Sequence, residues 1–344
     1  MIFTSRHRAV APLILYHAIS SYQLLEVTLH RMRFHAGDYA VLLLPDFIIH
    51  KYPQYRLLQA NRFFDEVYLF PYLRIPHGSE AQVLADTSRY YCQSVPYEIT
   101  TFSKIYVAGA HFYFSLYLIQ NHIPFTFFED AAGMLSRPGV LYQALAAGFP
   151  LHAGLALKYG LFTGQNSCVR EIICLKKAQT AEAPGPVLLN FSVEEALEAL
   201  VPRVRRRLIR FFLRRPVRTE AEAILLTQHF AGLGIMREEE QKQLYIRLRD
   251  EVLRGVRLAI KPHPDDTLDY REIFPHAQLI RAVFPAELLP YVFRKNSPAC
   301  IYTFDSTGCA NLSGHFIIRQ IDRKRLMAGH SGTHTPEDGD HHAE

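Results

Sequence analysis

The sequence lacks the features that mark a membrane-spanning, disulfide-stabilised or nucleic-acid-binding chain. No run of 18 or more consecutive apolar residues occurs, so we expect no helix that crosses a bilayer. The five cysteines are odd in number and form no Cys-X-X-Cys pair, which disfavours a disulfide framework and a structural zinc site and favours a reducing compartment. No nucleic-acid-binding motif occurs and the net charge of +5 is small, so we expect no nucleic-acid partner.

The sequence does contain enough apolar residues for two domains. Of its 344 residues, 49% are hydrophobic and 21% charged, which excludes global disorder, and the length suits two domains of about 150 residues each. In both halves, short apolar runs alternate with helix-like segments, a pattern typical of parallel sheets with helices on both faces. We therefore predict an α/β fold with two Rossmann-like domains that face each other across a cleft.

Shifts in composition predict the domain boundaries. We expect an N-terminal domain over residues 1–180, a linker over 181–220, a C-terminal domain over 221–327 and a disordered tail over 328–344. The scattered histidines of the tail are expected to be inert rather than metal-binding.

The predicted linker contains a basic amphipathic segment, Arg203–Arg215, with arginines around an apolar stripe. One interpretation is a helix that lies on an anionic membrane surface. The other is a helix whose apolar stripe packs on its own domain while its arginines face solvent.

Two adjacent carboxylates, Glu129 and Asp130, follow an apolar strand-like run, and the small residues 131–133 come next. A carboxylate at the mouth of a cleft can act as a general base, and small residues let a ligand approach closely. The alternative is that the acid only caps the helix that follows.

A second turn, Lys261-Pro262-His263-Pro264, directly follows another strand-like run. The flanking prolines restrict the backbone around His263, so its imidazole is held to bind a phosphate or donate a proton, and Lys261 adds positive charge. The alternative is a rigid turn with an exposed histidine. The adjacent Asp265-Asp266 could be taken for a metal site, but we expect these carboxylates to cap a helix.

A third turn places the hydroxyls of Ser306 and Thr307 before Gly308, after the strand-like run 299–304. Paired hydroxyls followed by small residues suit a phosphate that is also held by helix N-terminal amides. Taken alone, this motif is more typical of a helix cap.

The three turns together are more specific than each one alone. Glu287, in the run Phe284–Pro290, lies 24 positions after His263, and Ser306 lies 43 positions after it. With these motifs and the opening segment Tyr16–Leu25, the chain resembles the bacterial GT-B sialyltransferases over about residues 10–320. The nearest groups are glycosyltransferase family 52, the lipooligosaccharide sialyltransferases, and the bacterial polysialyltransferases, which act on capsules.

The resemblance implies an inverting, metal-independent transfer of sialic acid from CMP-sialic acid to a hydroxyl of a bacterial surface glycan, with no cofactor. It implies that the N-terminal domain binds the acceptor and the C-terminal domain the nucleotide. Glu129 would be the general base, with Asp130 as the other candidate. His263 would contact the CMP phosphate and protonate it as it leaves.

The resemblance also assigns the binding residues. Ser306 and Thr307 would hold the phosphate before Gly308, Glu287 would accept hydrogen bonds from the ribose, and Pro264 would shape the turn beside Lys261. One departure is that Ala131 and Ala132 separate the acidic pair from Gly133, where the families have glycine directly after the pair.

Two alternatives remain open at the level of sequence. A Kdo transferase or a CDP-glycerol glycerophosphotransferase of the same fold would use the same ribose and phosphate contacts. A catalytically idle GT-B-like binding protein is the second alternative, supported by the altered glycine position. The partners implied are a CMP-activated donor and a glycan or glycolipid acceptor, and the resemblance favours a homodimer. We expect a cytoplasmic protein with peripheral contact at the inner face of the cytoplasmic membrane.

Overall fold

A computed structural model gives the structure of the chain, and it describes residues 11–76, 78–109, 113–129, 135, 138–174, 185–294, 297–304, 309 and 312–328. The chain divides into two compact units. The first comprises Met1–Thr219, Arg281–Ser297 and Thr307–Phe316, and the second comprises Glu220–Ile280, Pro298–Ser306 and Ile317–Glu344.

The first unit is built on a seven-stranded, all-parallel sheet with the strand order β3-β2-β1-β4-β5-β6-β7. Its strands are β1 (Leu13–His17), β2 (Tyr39–Pro45), β3 (Glu66–Phe70), β4 (Lys104–Ala108), β5 (Phe125–Phe128), β6 (Val169–Cys174) and β7 (Val187–Asn190). Its helices are α1 (Ser21–Phe34), α2 (Ile48–Lys51), α3 (Leu57–Ala60), α4 (Glu80–Ser94), α5 (Tyr113–Gln120), α6 (Pro138–Gly148), α7 (Pro150–Lys158), α8 (Val193–Ala199) and α9 (Pro202–Phe212). Parallel strands are buried on both faces, and accordingly β2 is buried from Ala40 to Pro45.

The second unit is built on a five-stranded parallel sheet with the order β10-β9-β8-β11-β12. Its strands are β8 (Ala223–Leu226), β9 (Leu258–Lys261), β10 (Gln278–Leu279), β11 (Cys300–Thr303) and β12 (Ile317–Gln320). The helices that follow α9 in the chain are α10 (Glu238–Arg247), α11 (Tyr270–Ile273), α12 (Leu289–Val292) and α13 (Arg323–Ala328), of which α12 belongs to the first unit.

The prediction of alternating strands and helices in two parallel sheets is confirmed. The stretch predicted as a linker, residues 181–220, contributes β7, α8 and α9 to the first unit. Strand β7 gave no strand signal because it is short and exposed along most of its length, so it lacks a buried apolar run. Residues 281–297 also belong to the first unit, although the predicted boundaries put them in the C-terminal domain.

The basic segment packs its apolar stripe within the first unit. Leu208, Phe211 and Phe212 are buried, and the two phenylalanine rings contact Tyr52 at 5.4 Å between centroids. The interpretation in which the apolar stripe of α9 packs on its own domain is therefore the one that the structure supports. Among the described residues, no helix is both long and apolar enough to span a membrane.

The turn between β1 and α1 is held by a capping box. The Ser20 hydroxyl accepts from the Gln23 backbone N–H at 3.2 Å, and Gln23 Oε1 accepts from the N–H groups of Ile19 and Ser20 at 3.0 and 3.2 Å. Gly109, just after β4, faces this turn with a φ of +76°, and a Cβ there would lie 2.7 Å from two side-chain carbons of Ile19. Glycine is therefore required where the β1 and β4 turns approach each other.

We expect Gly109→Ala to lower the free energy of unfolding by about 2 kcal/mol or more, because it adds both a left-handed backbone penalty and a steric clash. Urea denaturation would measure the change. The matched control is Gly154→Ala in α7, where a Cβ meets nothing within 4 Å, so it should stabilise the protein by up to about 1 kcal/mol. Equal stability of the two variants would contradict the close approach of the turns.

Candidate functional site

The carboxyl edge of the second sheet brings the ends of β8, β9 and β11 together. Leu226 pairs in register with Lys261 on one side and with Thr303 on the other, and each is the last residue of its strand. The strand order reverses between β8 and β11, so this edge contains the topological switch point of the sheet. Ligands of open α/β sheets bind outside the carboxyl ends of strands at such a point.

A side chain from the β8 turn fixes the backbone of the β9 turn. The backbone N–H of His263 donates to Thr227 Oγ1 at 3.0 Å, and the N–H of Thr227 donates to the Lys261 carbonyl at 3.3 Å. Thr227 is buried, so its hydroxyl is shielded from competing water. Together with the restriction from Pro262 and Pro264, these bonds set the position of His263.

The hydrogen bonding of His263 also selects the tautomer of its neutral ring. The backbone N–H of Asp265 donates to His263 Nδ1 at 3.2 Å, so Nδ1 carries the lone pair and Nε2 carries the proton. The side chain is 30% exposed, and the Asp265 carboxylate lies 4.0 Å from Nδ1. His263 can therefore present an Nε2–H donor to an anionic ligand.

A second imidazole, that of His229, stacks on His263. The ring centroids are 3.9 Å apart and the ring planes differ by 16°. His229 follows β8 by three positions, so the rule that selected His263 from its place after a strand would also have selected His229. Sequence reasoning missed it because no proline or other motif residue adjoins it.

The turn that carries His229 is anchored by a buried phenol. Tyr245 OH accepts from the N–H of Gln228 at 2.8 Å and lies 3.2 Å from the Gln228 carbonyl, to which it donates. Burial raises the pKa of Tyr245 above its usual value, so the hydroxyl keeps the proton that this pair of bonds requires. The backbones next to the two stacked imidazoles are thus held by Thr227 and Tyr245.

The carboxylates after the histidine turn do not cap a helix as we expected. The N-cap of α11 is Asp269, whereas Asp266 accepts from Tyr270 OH at 2.5 Å and from Gln241 Nε2 at 3.1 Å. The expectation for Asp265 and Asp266 is wrong because the turn continues for three more residues before the helix begins. Asp266 instead binds the turn to α10 and α11.

The other predicted residues of this edge have different environments. Lys261 is buried at the end of β9, and Pro264 is exposed. Ser306, Thr307 and Gly308 lie outside the described residues. The structure therefore brings Lys261, His263 and Pro264 to one edge, and the placement of the hydroxyl pair stays a prediction.

The opposite, amino edge of the second sheet holds an open cavity of about 540 Å³. Its lining includes Arg254, Arg257 and the exposed His276. It lacks the turns that follow the strands, so it is not the site that the topology favours.

In the first unit, Glu129 directly follows β5 and is buried. Its N–H donates to the Ile173 carbonyl at 2.8 Å, and its Oε1 accepts from the Leu135 N–H at 3.1 Å. The carboxylate is thus fixed at the carboxyl edge of the first sheet. Asp130 lies outside the described residues.

His17, in the opening segment, is a buried support rather than an exposed group. Its Nδ1 donates to the Leu43 carbonyl at 2.8 Å, and its Nε2 lies 3.4 Å from the hydroxyl of Tyr72. That hydroxyl accepts from the Phe114 N–H at 3.0 Å. Burial lowers the pKa of His17 to about 4, although the Leu43 carbonyl opposes the shift, so the ring is neutral at neutral pH.

Glu287 lies in a short 3₁₀ helix, Ala286–Leu288, and is buried. It belongs to residues 281–297 of the first unit, whereas His263 belongs to the second unit. Its predicted role at the ribose stays a prediction.

Comparisons with known sequences show no family. No protein-family model matches the chain. An uncharacterised protein of Haemophilus influenzae is 36% identical over 66 residues, which are 19% of this chain and 21% of that protein. The match spans only about a fifth of that relative, so it transfers no activity.

Comparisons with solved structures identify the fold. LpCGTa in complex with UDP aligns over 93% of this chain and 89% of its own, with 10% identity and a TM-score of 0.50. A putative UDP-N-acetylglucosamine 2-epimerase from Listeria monocytogenes aligns over 88% of this chain and 76% of its own, with 12% identity and a TM-score of 0.50. The fold is GT-B.

The prediction of a two-domain, Rossmann-like GT-B fold is therefore confirmed. A sialyltransferase GT-B domain from Photobacterium damselae aligns over 90% of this chain and 91% of its own, with 14% identity. Its TM-score of 0.46 is too low to bear on the donor sugar.

We expect Thr227→Val to lower the free energy of unfolding by about 1–3 kcal/mol, because the His263 N–H loses its acceptor in a buried setting. Amide hydrogen exchange in residues 262–266 should also become faster. Thr227→Ser is the matched control, since it loses a methyl group but keeps the hydroxyl, and it should leave that exchange unchanged. Faster exchange in both variants would mean that the hydroxyl does not hold the turn.

Proposed function

We propose that this protein is an inverting, metal-independent glycosyltransferase that moves sialic acid from CMP-sialic acid to a hydroxyl of a bacterial surface glycan. The observation that carries the proposal is the His263 turn, which presents an Nε2–H donor at the switch point of the second sheet. The confirmed GT-B fold is compatible with a nucleotide-activated donor, and the resemblance of the sequence motifs to those of the GT-B sialyltransferases favours CMP-sialic acid.

The phosphate of the donor binds at the carboxyl edge of the second sheet in this proposal. His263 donates its Nε2–H to a phosphate oxygen, and the Ser306 and Thr307 hydroxyls donate to the same group. These neutral donors stabilise the charge that develops as CMP leaves, which is the role that a metal ion has in other transferases. Lys261, the last residue of β9, adds a positive charge next to the His263 turn. Glu287 accepts hydrogen bonds from the ribose hydroxyls.

The acceptor is activated by a carboxylate of the first unit. Glu129, or Asp130 beside it, removes the proton from the acceptor hydroxyl as the oxygen attacks the anomeric carbon and the bond to the CMP phosphate breaks. Glu129 is already held at the edge of the first sheet by the Leu135 N–H, which donates to its Oε1. Attack opposite to the departing phosphate inverts the anomeric centre.

We expect the purified protein to release CMP from CMP-sialic acid, but not from CMP-Kdo, and to leave CDP-glycerol intact. His263→Ala should lower the rate by about 10²–10³-fold, because losing one positioned hydrogen-bond donor to developing negative charge commonly costs about that factor. Chromatography of the released nucleotide measures both results.

His276→Ala is the matched control for this experiment, since it removes an exposed histidine at the opposite edge of the same sheet. Release from CMP-Kdo or cleavage of CDP-glycerol would instead select one of the other transferases of this fold. No turnover of any of the three donors, with retained nucleotide binding, would select a non-catalytic binding protein. Full activity of His263→Ala would remove that residue from the mechanism.

We further propose that the protein meets a lipid-linked acceptor at an anionic membrane surface. The exposed arginines of the basic segment are Arg203, Arg206, Arg210, Arg214 and Arg215. Since the apolar side of α9 is buried in the first unit, this contact is electrostatic, without an inserted apolar face. It is therefore weakened strongly by salt.

We expect binding to phosphatidylglycerol vesicles to fall with added salt, and to fall at least about tenfold in the double variant Arg206→Glu/Arg210→Glu. Vesicle sedimentation measures the bound fraction. The control Arg271→Glu/Arg319→Glu makes the same change in net charge at exposed positions of the second unit and should retain most of the binding. Equal losses in both double variants would show that only net charge matters.

A further inference from the structure

Helix α8 and the segment 312–316 bring two carboxylates and an imidazole together in the first unit. Glu194 and Glu198 are one helical turn apart on α8, and His315 faces both. One ligand atom from each of the three side chains lies within 4.8 Å of the other two. This Glu194–Glu198–His315 cluster lies outside the residues that the proposed transfer reaction uses.

The distances within the cluster suit a bound cation better than direct hydrogen bonds. His315 Nε2 lies 3.5 Å from an oxygen of Glu194 and 3.5 Å from an oxygen of Glu198. A charged N–H to carboxylate bond is about 2.7–2.9 Å long. Two ligand atoms that are each about 2.1 Å from a tetrahedral Zn²⁺ ion are about 3.4 Å apart. The two distances from His315 are therefore close to that spacing, and the ligand atoms of the two carboxylates lie within 4.8 Å of each other.

The backbone next to His315 is shaped to admit one of the carboxylates. A Cβ at Gly314 would lie 2.8 Å from Glu194 Oε1, so any other residue at this position would displace the carboxylate. The absence of a side chain at residue 314 lets Glu194 reach the face of the segment that carries His315. This observation is independent of the distances to the imidazole.

The neighbouring groups leave the carboxylates available to a cation. Tyr291 packs edge-on against the His315 ring, with centroids 5.9 Å apart. The guanidinium of Arg205 lies over the ring of Tyr291 and donates to the Leu197 carbonyl at 3.4 Å. Arg205 is thus engaged by an aromatic face and a backbone oxygen.

We propose that Glu194, Glu198 and His315 bind a first-row divalent cation, with Zn²⁺ as the ion that fits best. Imidazole with carboxylates is a ligand set for Zn²⁺ and its neighbours in the series, whereas Mg²⁺ and Ca²⁺ prefer oxygen ligands alone. The two carboxylates balance the charge of the ion, and three protein ligands leave one coordination position for water.

The ion would fix the chain next to a functional turn. Residues 312–316 follow the segment 305–308, where the phosphate-binding hydroxyls Ser306 and Thr307 are predicted. A bound cation ties residues 312–316 to α8 and so restricts the chain on the C-terminal side of that turn. This role is structural, since no step of the proposed transfer passes through the ion, and its test requires no transferase activity.

Zinc titration of the chelator-treated full-length protein against a chromophoric competitor tests the proposal. The wild type should bind one more equivalent of Zn²⁺ than His315→Gln. Glu194→Gln and Glu198→Gln should weaken this equivalent at least about tenfold, because even changes outside the ligand shell commonly cost about 10–100-fold in affinity. Gly314→Ala should weaken it as well.

Glu195→Gln is the matched control, because this residue lies on the same helix and its side chain is 72% exposed beside Arg33. It should bind zinc as the wild type does. Hydrogen exchange of residues 312–316 should slow when Zn²⁺ is added to the wild type but not to His315→Gln. Identical zinc binding and exchange in the wild type and all three ligand variants would place the zinc elsewhere, such as on the histidines of the tail, and would overturn the proposal.

Discussion

The candidate site depends on the hydrogen bond between the His263 N–H and the Thr227 hydroxyl. Parallel pairing of β8 and β9 brings the two turns to one edge, but pairing alone does not fix the backbone conformation of either turn. The Thr227 hydroxyl fixes the β9 turn, because it accepts from the backbone N–H of His263, which would otherwise lack an acceptor. The flanking prolines then leave the imidazole few orientations.

The second link is the choice of tautomer. With the Asp265 N–H directed at Nδ1, the neutral imidazole can only donate through Nε2. In the proposed transfer, this Nε2–H is the group of His263 that donates to the phosphate of the leaving nucleotide. The His229 ring stacked on the same imidazole restricts its rotation further. The turns after two adjacent strands thus hold the imidazoles of His229 and His263 in a fixed stack.

In the first unit, which is also built on a parallel sheet, a histidine at a strand end has a structural role. Its histidine at the end of β1, His17, is buried and neutral, and its Nε2 lies 3.4 Å from the hydroxyl of Tyr72, which accepts from the first turn of α5. The chemistry expected from this unit comes instead from the edge of β5, where Glu129 is fixed by a backbone N–H. Position at the end of a strand therefore does not by itself separate a residue that supports the fold from one that meets a ligand.

The sequence by itself determined the two parallel sheets, since apolar runs that are buried on both faces have one stable arrangement. It also placed Glu129 and His263 correctly after strands, whereas their roles stay predictions. The sequence did not predict strand β7, because an exposed edge strand lacks a buried apolar run. It also did not predict that His229 stacks on His263, because no motif residue adjoins His229. Only the tertiary structure decided that Asp266 binds α10 and α11, that the apolar side of α9 is buried, and that His315 meets Glu194 and Glu198. Apart from the local contact of Asp266 with Tyr270, these contacts pair residues far apart in the chain, so they depend on packing between elements, which no local pattern encodes.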